Sequence, residues 1–252
     1  MSSAFHDTFG YTFLPRFFSI EEITWMTEEF NGLLSKPGLR PCFADSSPRL
    51  AELIEHPKVV TLVASLFGPD WLYKGSDGNI FAASTPWHRD YFIRTPTVKL
   101  MVYLDPSSLD LIPGSHHVEG PFSQLLNRSL LWPETAGFDA RLGEPPFTRL
   151  HALPGDVIAF SHNLIHRTEE PGRRRRAFGL HFAAEFNEEI KELTLIEMRT
   201  FGVTRCYGPH VKRGLMTAPF FDLRAEAGGF DGKYADQSAE SIQFGRRLME
   251  SR

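Results

Sequence analysis

Near residue 71 the periodicity of this chain changes, and the change excludes most architectures. Before it, apolar residues recur at helical spacing; after it, short β-prone runs are separated by Gly, Pro and Asp. Ser19-x-x-Glu22 has the form of a capping box and predicts a helix from Ile20 to about Leu34, with Ile20, Ile23, Phe30 and Leu34 near one face. Lys36-Pro37-Gly38 should end it. Further helices are expected over residues 48–55 and 57–67, the second with Pro57 in its first turn and Gly68-Pro69 just past its end. Residues 11–18 are aromatic-rich and read as extended, and residues 40–48 as polar and turn-like. In the second pattern, residues 98–104 read as a buried strand, and 109–112 as a short strand entering Pro113-Gly114-Ser115-His116. Residues 153–156 read as a turn, and 157–160 and 177–184 as further strands. Helices followed by many short strands predict a mainly β fold with flanking helices, a double-sheet jelly roll. The insert at residues 120–146 carries Phe122, Leu125, Leu126, Leu130, Leu131 and Trp132, and is expected to form a partly helical cover over a cavity. Residues 187–198 read as helix, 204–219 as loop and 239–250 as a short helix.

The 252 residues hold no internal repeat or low-complexity linker. They are expected to form a single domain over 1–252, with a helical part at 19–68, a jelly-roll core at about 71–185 and a C-terminal helix with loops at 186–252. The 22 phenylalanines point to an aromatic core, and a net charge of -4 carries no nucleic-acid footprint. No apolar run approaches the ~18 residues of a membrane span, and residues 1–10 lack the regions of a signal peptide. Cys42 and Cys206 form neither a disulfide framework nor a C-x-x-C, from which a reducing, cytoplasmic setting is expected.

Against that background Trp87-His88-Arg89-Asp90 stands out. On an extended segment, residues two apart share a face, so His88 and Asp90 can reach one cation while Arg89 points away. A third ligand must come from elsewhere. His166 follows the 157–160 strand; His162 competes for the same role, and His116, His117 and His151 are further candidates. One carboxylate and two imidazoles suit Fe(II) with open positions for substrates and dioxygen, and zinc accepts the same ligands.

Arg173-Arg174-Arg175-Arg176 precedes the strand beginning at Ala177. Such a run is ordinarily a solvated basic turn. Period two, however, places Arg175, Ala177, Gly179 and His181 on one face, and Arg176, Phe178, Leu180 and Phe182 on the other, which reads as core. The first face combines a guanidinium with small residues and leaves room for a ligand. Arginine can grip a carboxylate through two parallel hydrogen bonds, and Thr168 can add a hydroxyl. A dicarboxylate chelating iron at one end and held by Arg175 at the other fits 2-oxoglutarate.

These pieces resemble the phytanoyl-CoA dioxygenase family of Fe(II)/2-oxoglutarate oxygenases. The resemblance spans roughly residues 10–185. It is carried by Gly10-Tyr11 with Phe18 to Glu22, Trp87 to Asp90, Ile112-Pro113-Gly114-Ser115-His116, Leu153-Pro154-Gly155-Asp156 with Phe160, His166-x-Thr168, and Arg175-Arg176-Ala177. It implies a double-stranded β-helix with iron held by His88, Asp90 and His166. His166 is preferred over His162 because the family's distal His is followed two residues later by Ser or Thr. It implies that Arg175 or Arg176 holds the distal carboxylate of 2-oxoglutarate, and strand parity favours Arg175. Tyr103 corresponds to a pocket-lining position, with Asn79 and Lys99 as weaker candidates. The chain departs from its relatives at residues 105–109, where the loop before the Pro-Gly-Ser-His turn is short.

What the resemblance implies for activity is oxidative decarboxylation of 2-oxoglutarate by dioxygen, coupled to attack on an unactivated C–H bond of a small molecule in specialised metabolism. Related halogenases replace the carboxylate ligand by a small residue, so Asp90 makes hydroxylation the default. Arg89, Arg94, Phe92, Phe122, Trp132 and residues 204–219 are candidates for the substrate side. Two other readings remain at the level of sequence: a jelly-roll binding protein with a vestigial metal site, and a cupin-like metal enzyme that uses no 2-oxoglutarate.

Overall fold

The computed structural model describes residues 3–126, 145–169 and 173–201. Helix α1 (Ser3–Phe9) leads into strand β1 (Tyr11–Leu14), followed by α2 (Ile20–Leu33) and β2 (Gly38–Pro41). After α3 (Pro48–Ala51) and α4 (Pro57–Phe67) come β3 (Leu72–Phe81), β4 (Thr85–His88), β5 (Thr97–Tyr103) and β6 (Ser107–Leu111). Helix α5 (Pro121–Leu126) precedes β7 (Thr148–Ala152), β8 (Val157–Ser161), β9 (His166–Thr168), β10 (Arg175–Ala183) and α6 (Glu188–Phe201).

Local chemistry explains the helical part. Ser19 accepts from the Glu22 backbone N–H while Glu22 accepts from that of Ser19, so the capping box is complete at both ends. Pro57 opens α4 and Gly68, at φ 81, closes it, within the range expected from sequence. The expected helix over 48–55 is instead the single turn α3 followed by 3-10 turns over residues 52–55. Residues 40–48 are not only turn: β2 pairs with β3, Leu39 opposite Asn79. Cys42 is buried, at φ 52 after β2, and Cys206 lies outside the described residues.

The strands form two antiparallel sheets, ordered β1-β8-β5-β10-β3-β2 and β4-β9-β6-β7, the jelly roll expected from sequence. Period two sorts the large sheet. Its outer face presents Val98, Leu100, Val102, Phe178, Leu180 and Phe182 to the helices, where Met26, Phe30, Phe43, Leu50, Ile54, Val59 and Val63 complete one buried cluster. Its inner face meets the small sheet through a second cluster that includes Tyr11, Met101, Tyr103, Leu109, Leu111, Ile158, Phe160 and Ala177. The turn before β8 needs glycine: Gly155 sits at φ 94, and a Cβ there would lie 2.8 Å from the Phe18 carbonyl oxygen. Beside it, Asp156 accepts from the Arg16 and Leu153 backbone N–H groups.

The short 105–109 segment is accommodated because β6 starts at Ser107 and is buried along its length. Of the expected cover, α5 is described; residues 127–144, the 204–219 loop and the 239–250 helix lie outside the described residues. Among the described residues no helix is long and apolar enough to cross a membrane.

Candidate metal centre

The small sheet delivers the two imidazoles. Strands β4 and β9 pair with His88 opposite His166, and the rings lie 4.2 Å apart between centroids. Asp90 follows β4, its backbone N–H donating to the His162 carbonyl at 3.0 Å. Its Oδ1 lies 3.9 Å from His88 Nε2 and 3.8 Å from His166 Nε2. One ligand atom from each of the three residues falls within 4.8 Å of the others, and among the described residues no other group of three acidic, His or Cys side chains does so.

This arrangement fits a divalent cation. His88 Nδ1 lies 2.8 Å from the Pro86 carbonyl oxygen and His166 Nδ1 lies 2.9 Å from that of Leu164. A carbonyl accepts only, so each Nδ1 carries the proton and each Nε2 turns a lone pair inward. Burial, and then the neighbouring His88, push His166 down to about 3, so it is neutral and able to ligate at physiological pH. Burial opposes ionisation of Asp90, but Lys99 and the surrounding imidazoles outweigh it and hold the carboxyl well below its usual range.

Arg89 points away from this face, as period two requires. It is buried, donating to the Ser115 carbonyl at 2.6 Å, to Ser123 Oγ at 2.5 Å and to the Asn163 carbonyl. It is therefore a brace for the metal loop, which corrects its candidacy for the substrate side. Arg94 is exposed and pairs with Glu119 at 3.2 Å. The competing histidines lie elsewhere. His162 is fully buried between Tyr91 and His181. His116 contacts the Asp7 carbonyl and stacks on His117, and His151 is exposed on β7.

The large sheet supplies the facing wall in rows across three strands. Ala177 is flanked by Asn79 and Tyr103, Gly179 by Asp77 and Met101, and His181 by Gly75 and Lys99. Arg175 begins the row at the β10 entrance. Its guanidinium is buried, donates to the Ala83 carbonyl at 3.2 Å and lies 5.7 Å from the Phe81 ring centroid. Arg176 faces outward, chelating Asp105 through bonds of 2.9 and 2.8 Å and reaching Asn31 on α2 at 3.0 Å. The two adjacent arginines thus have different occupations, divided by parity. Tyr103 is buried on the inner face and Asn79 half-buried beside Ala177. Thr168 shares the His166 face of β9, its hydroxyl 3.0 Å from that of Thr85.

Residues 6–177 match the family described as phytanoyl-CoA dioxygenase (PhyH). The chain belongs to that family. Comparison with curated protein sequences finds no match. Among solved structures, HygX from Streptomyces hygroscopicus with nickel and 2-oxoglutarate bound superposes with a TM-score of 0.60 at 17% identity, covering 73% of this chain and 86% of that one. SnoK, a non-heme alpha ketoglutarate dependent carbocyclase from nogalamycin biosynthesis, gives 0.58 at 18%, covering 72% and 82%. EctD from S. alaskensis with 2-oxoglutarate and 5-hydroxyectoine gives 0.56 at 19%, covering 72% and 74%. At these identities the likeness is one of fold.

Asp77 and Thr85 were not legible in the sequence as site residues. Asp77 did carry a signal, since Gly75, Asp77 and Asn79 alternate along a β-prone run and so share one face. That face could be recognised as the inner one only from the pairing of Asp77 with Gly179.

Proposed function

We propose that this chain is a single-domain Fe(II)- and 2-oxoglutarate-dependent oxygenase that oxidises a C–H bond of a small molecule in specialised metabolism. In this reading His88, Asp90 and His166 hold iron, and Arg175 grips the distal carboxylate of 2-oxoglutarate. The observation that carries it is the convergence of three ligand atoms, from β4, the loop after it and β9, to within 4.8 Å. Iron with 2-oxoglutarate supplies dioxygen activation. The chain's part is to hold and orient. His88 and His166 are locked in one tautomer by backbone carbonyls, and three ligands on one side leave the remaining positions for cosubstrate and dioxygen. Arg175 begins the inner row four residues before Gly179, about 13 Å of strand. Two side chains and a five-carbon dicarboxylate can fill that span. Tyr103, Asn79 and Thr168 line it, and the apolar inner cluster keeps water out.

Asp90 favours oxygen transfer over halogen transfer, because the carboxylate occupies the position a halide would take. Hydroxylation is the outcome we assign first. Carbocycle formation and epimerisation, named for SnoK and for SnoN, are the alternatives that the same site geometry admits. Arg175 favours this reading over a cupin-like enzyme without 2-oxoglutarate, since a guanidinium buried at the end of the ligand-facing row is suited to receive a carboxylate.

The decisive experiment is anaerobic reconstitution with Fe(II) and 2-oxoglutarate, followed by exposure to dioxygen and assay of succinate. A 2-oxoglutarate-dependent thermal shift and slow succinate release without substrate are expected. Their joint absence would refute the proposal. Asp90→Gly should abolish succinate formation coupled to oxidation, and full activity in that variant would remove Asp90 from the ligand set.

A further inference from the structure

Behind Asp90 lies a chain of charges that the ligand set does not use. Asp77 Oδ1 accepts from the Gly179 backbone N–H at 3.1 Å, and its Oδ2 takes the Lys99 ammonium at 2.8 Å. Lys99 Nζ in turn lies 3.7 Å from Asp90 Oδ2. The two oxygens of Asp90 therefore have separate surroundings. Oδ1 faces both imidazole Nε2 atoms, at 3.9 and 3.8 Å, and Oδ2 faces Lys99. Oδ2 is buried and has no hydrogen-bond partner other than what lies at this longer range.

We propose that Lys99, clamped by Asp77, is a positioning residue that holds the second oxygen of Asp90 and so restricts Asp90 to one-oxygen coordination. This rests on the ligand set proposed above and adds two residues to it. Chelation through both oxygens would occupy a position that cosubstrate or dioxygen needs. An ammonium close to a divalent cation would ordinarily oppose its binding. Asp77 cancels that charge, so Lys99 presents a donor to Asp90 while the pair stays neutral. The packing is built for the arrangement. A Cβ at position 179 would lie 2.6 Å from Lys99 Cε and 2.7 Å from Asp77 Oδ1, so glycine there leaves room for both side chains. Lys99 and Asp77 lie on β5 and β3, joined only through β10 between them, so the clamp exists once all three strands are paired.

The test uses the full metal-free chain titrated with Co(II), without 2-oxoglutarate, and read by visible absorption. The wild-type chain should take up one equivalent, and His166→Ala should lose it; if the wild type binds none, the ligand set itself falls and the clamp with it. Given that binding, Asp77→Asn should weaken Co(II) by about 10–100-fold, the usual range for partners that orient a metal ligand. Lys99→Met should weaken the visible band, as Asp90 turns both oxygens to the metal and raises its coordination number. The double variant Asp77→Asn/Lys99→Met removes the buried pair together, keeps the test open if a single variant fails to fold, and should show the same spectral change. Affinities within twofold of wild type with unchanged spectra would overturn the proposal. So would unchanged Co(II) affinity and spectra beside a loss of 2-oxoglutarate affinity in a separate calorimetric titration of the Co(II)-loaded variants, which would make Lys99 a cosubstrate contact instead.

Discussion

Two neighbouring arginines separate by strand parity, and the separation predicts opposite phenotypes. Arg175 is buried on the inner row, whereas Arg176 is spent on Asp105 and Asn31 at the outer face. Arg175→Ala should abolish 2-oxoglutarate binding, measured by calorimetry or quenching, while metal uptake persists. Arg176→Ala should leave that affinity intact and cost about 1 kcal/mol in denaturant unfolding, since it breaks a bidentate but partly solvated pair. The reverse pattern would move the cosubstrate anchor to Arg176. Arg89 is the third informative arginine. With its guanidinium tied to Ser115, Ser123 and Asn163, Arg89→Met strands buried carbonyl groups. It should cost about 3 kcal/mol and weaken metal binding, because the loop carrying Asp90 loses its brace. Unchanged stability in urea titration would contradict that role.

Between elements, the tightest fit is the helical layer against the outer face of the large sheet. Phe43 packs against β3 at Gly78, where an added Cβ would overlap its ring. Phe43 also packs on Phe30 of α2 and Phe178 of β10, at centroid distances of 4.7 and 5.8 Å. It has nowhere to retreat. Gly78→Ala should therefore destabilise by about 1–3 kcal/mol while a folded variant keeps its metal affinity, since the inner face is untouched. A variant as stable as wild type would show that the aromatic layer can shift. Elements were also the level at which the sequence was easiest to read. The capping box, the Pro57 and Gly68 boundaries and the apolar run of β5 each declare themselves within a few residues. Strand β2 did not, because Gly38-Leu39-Arg40-Pro41 is short, bounded by Gly and Pro and without an alternating apolar pattern, and it forms by pairing with β3. Nor did α1, a seven-residue helix whose stability comes from packing rather than propensity.

For the molecule as a whole, buried histidines set the pH response. Burial pushes His6 and His116 each down to about 4, His166 to about 3, and His162 well below its ordinary value. The folded-state values are lowered, so the unfolded chain binds protons first. Stability is full above about pH 6.5 and is lost progressively as pH falls towards 4. Chemical denaturation of the metal-free protein at pH 7.5, 6 and 5 should show the decline; a flat profile would mean that these rings are solvated in solution. Adding Co(II) should stabilise the folded chain at pH 7.5, because the metal binds the assembled ligand set and not the unfolded chain.

The parts whose physics is local could be read from residue order alone. Period two put His88 with Asp90 and Arg175 with Ala177, the capping signals set the helices, and the break in periodicity near residue 71 set the class of fold. Choosing His166 over His162 needed more. Both follow β8, but one pairs opposite His88 across the small sheet, while the other lies buried between Tyr91 and His181. The Asp77–Lys99–Asp90 chain was beyond local reading. Its members come from β3, β5 and the loop after β4, and their meeting depends on register across β10 and on the space left at Gly179. Side-chain spacing is encoded residue by residue, whereas partners across strands are decided only when the sheets close.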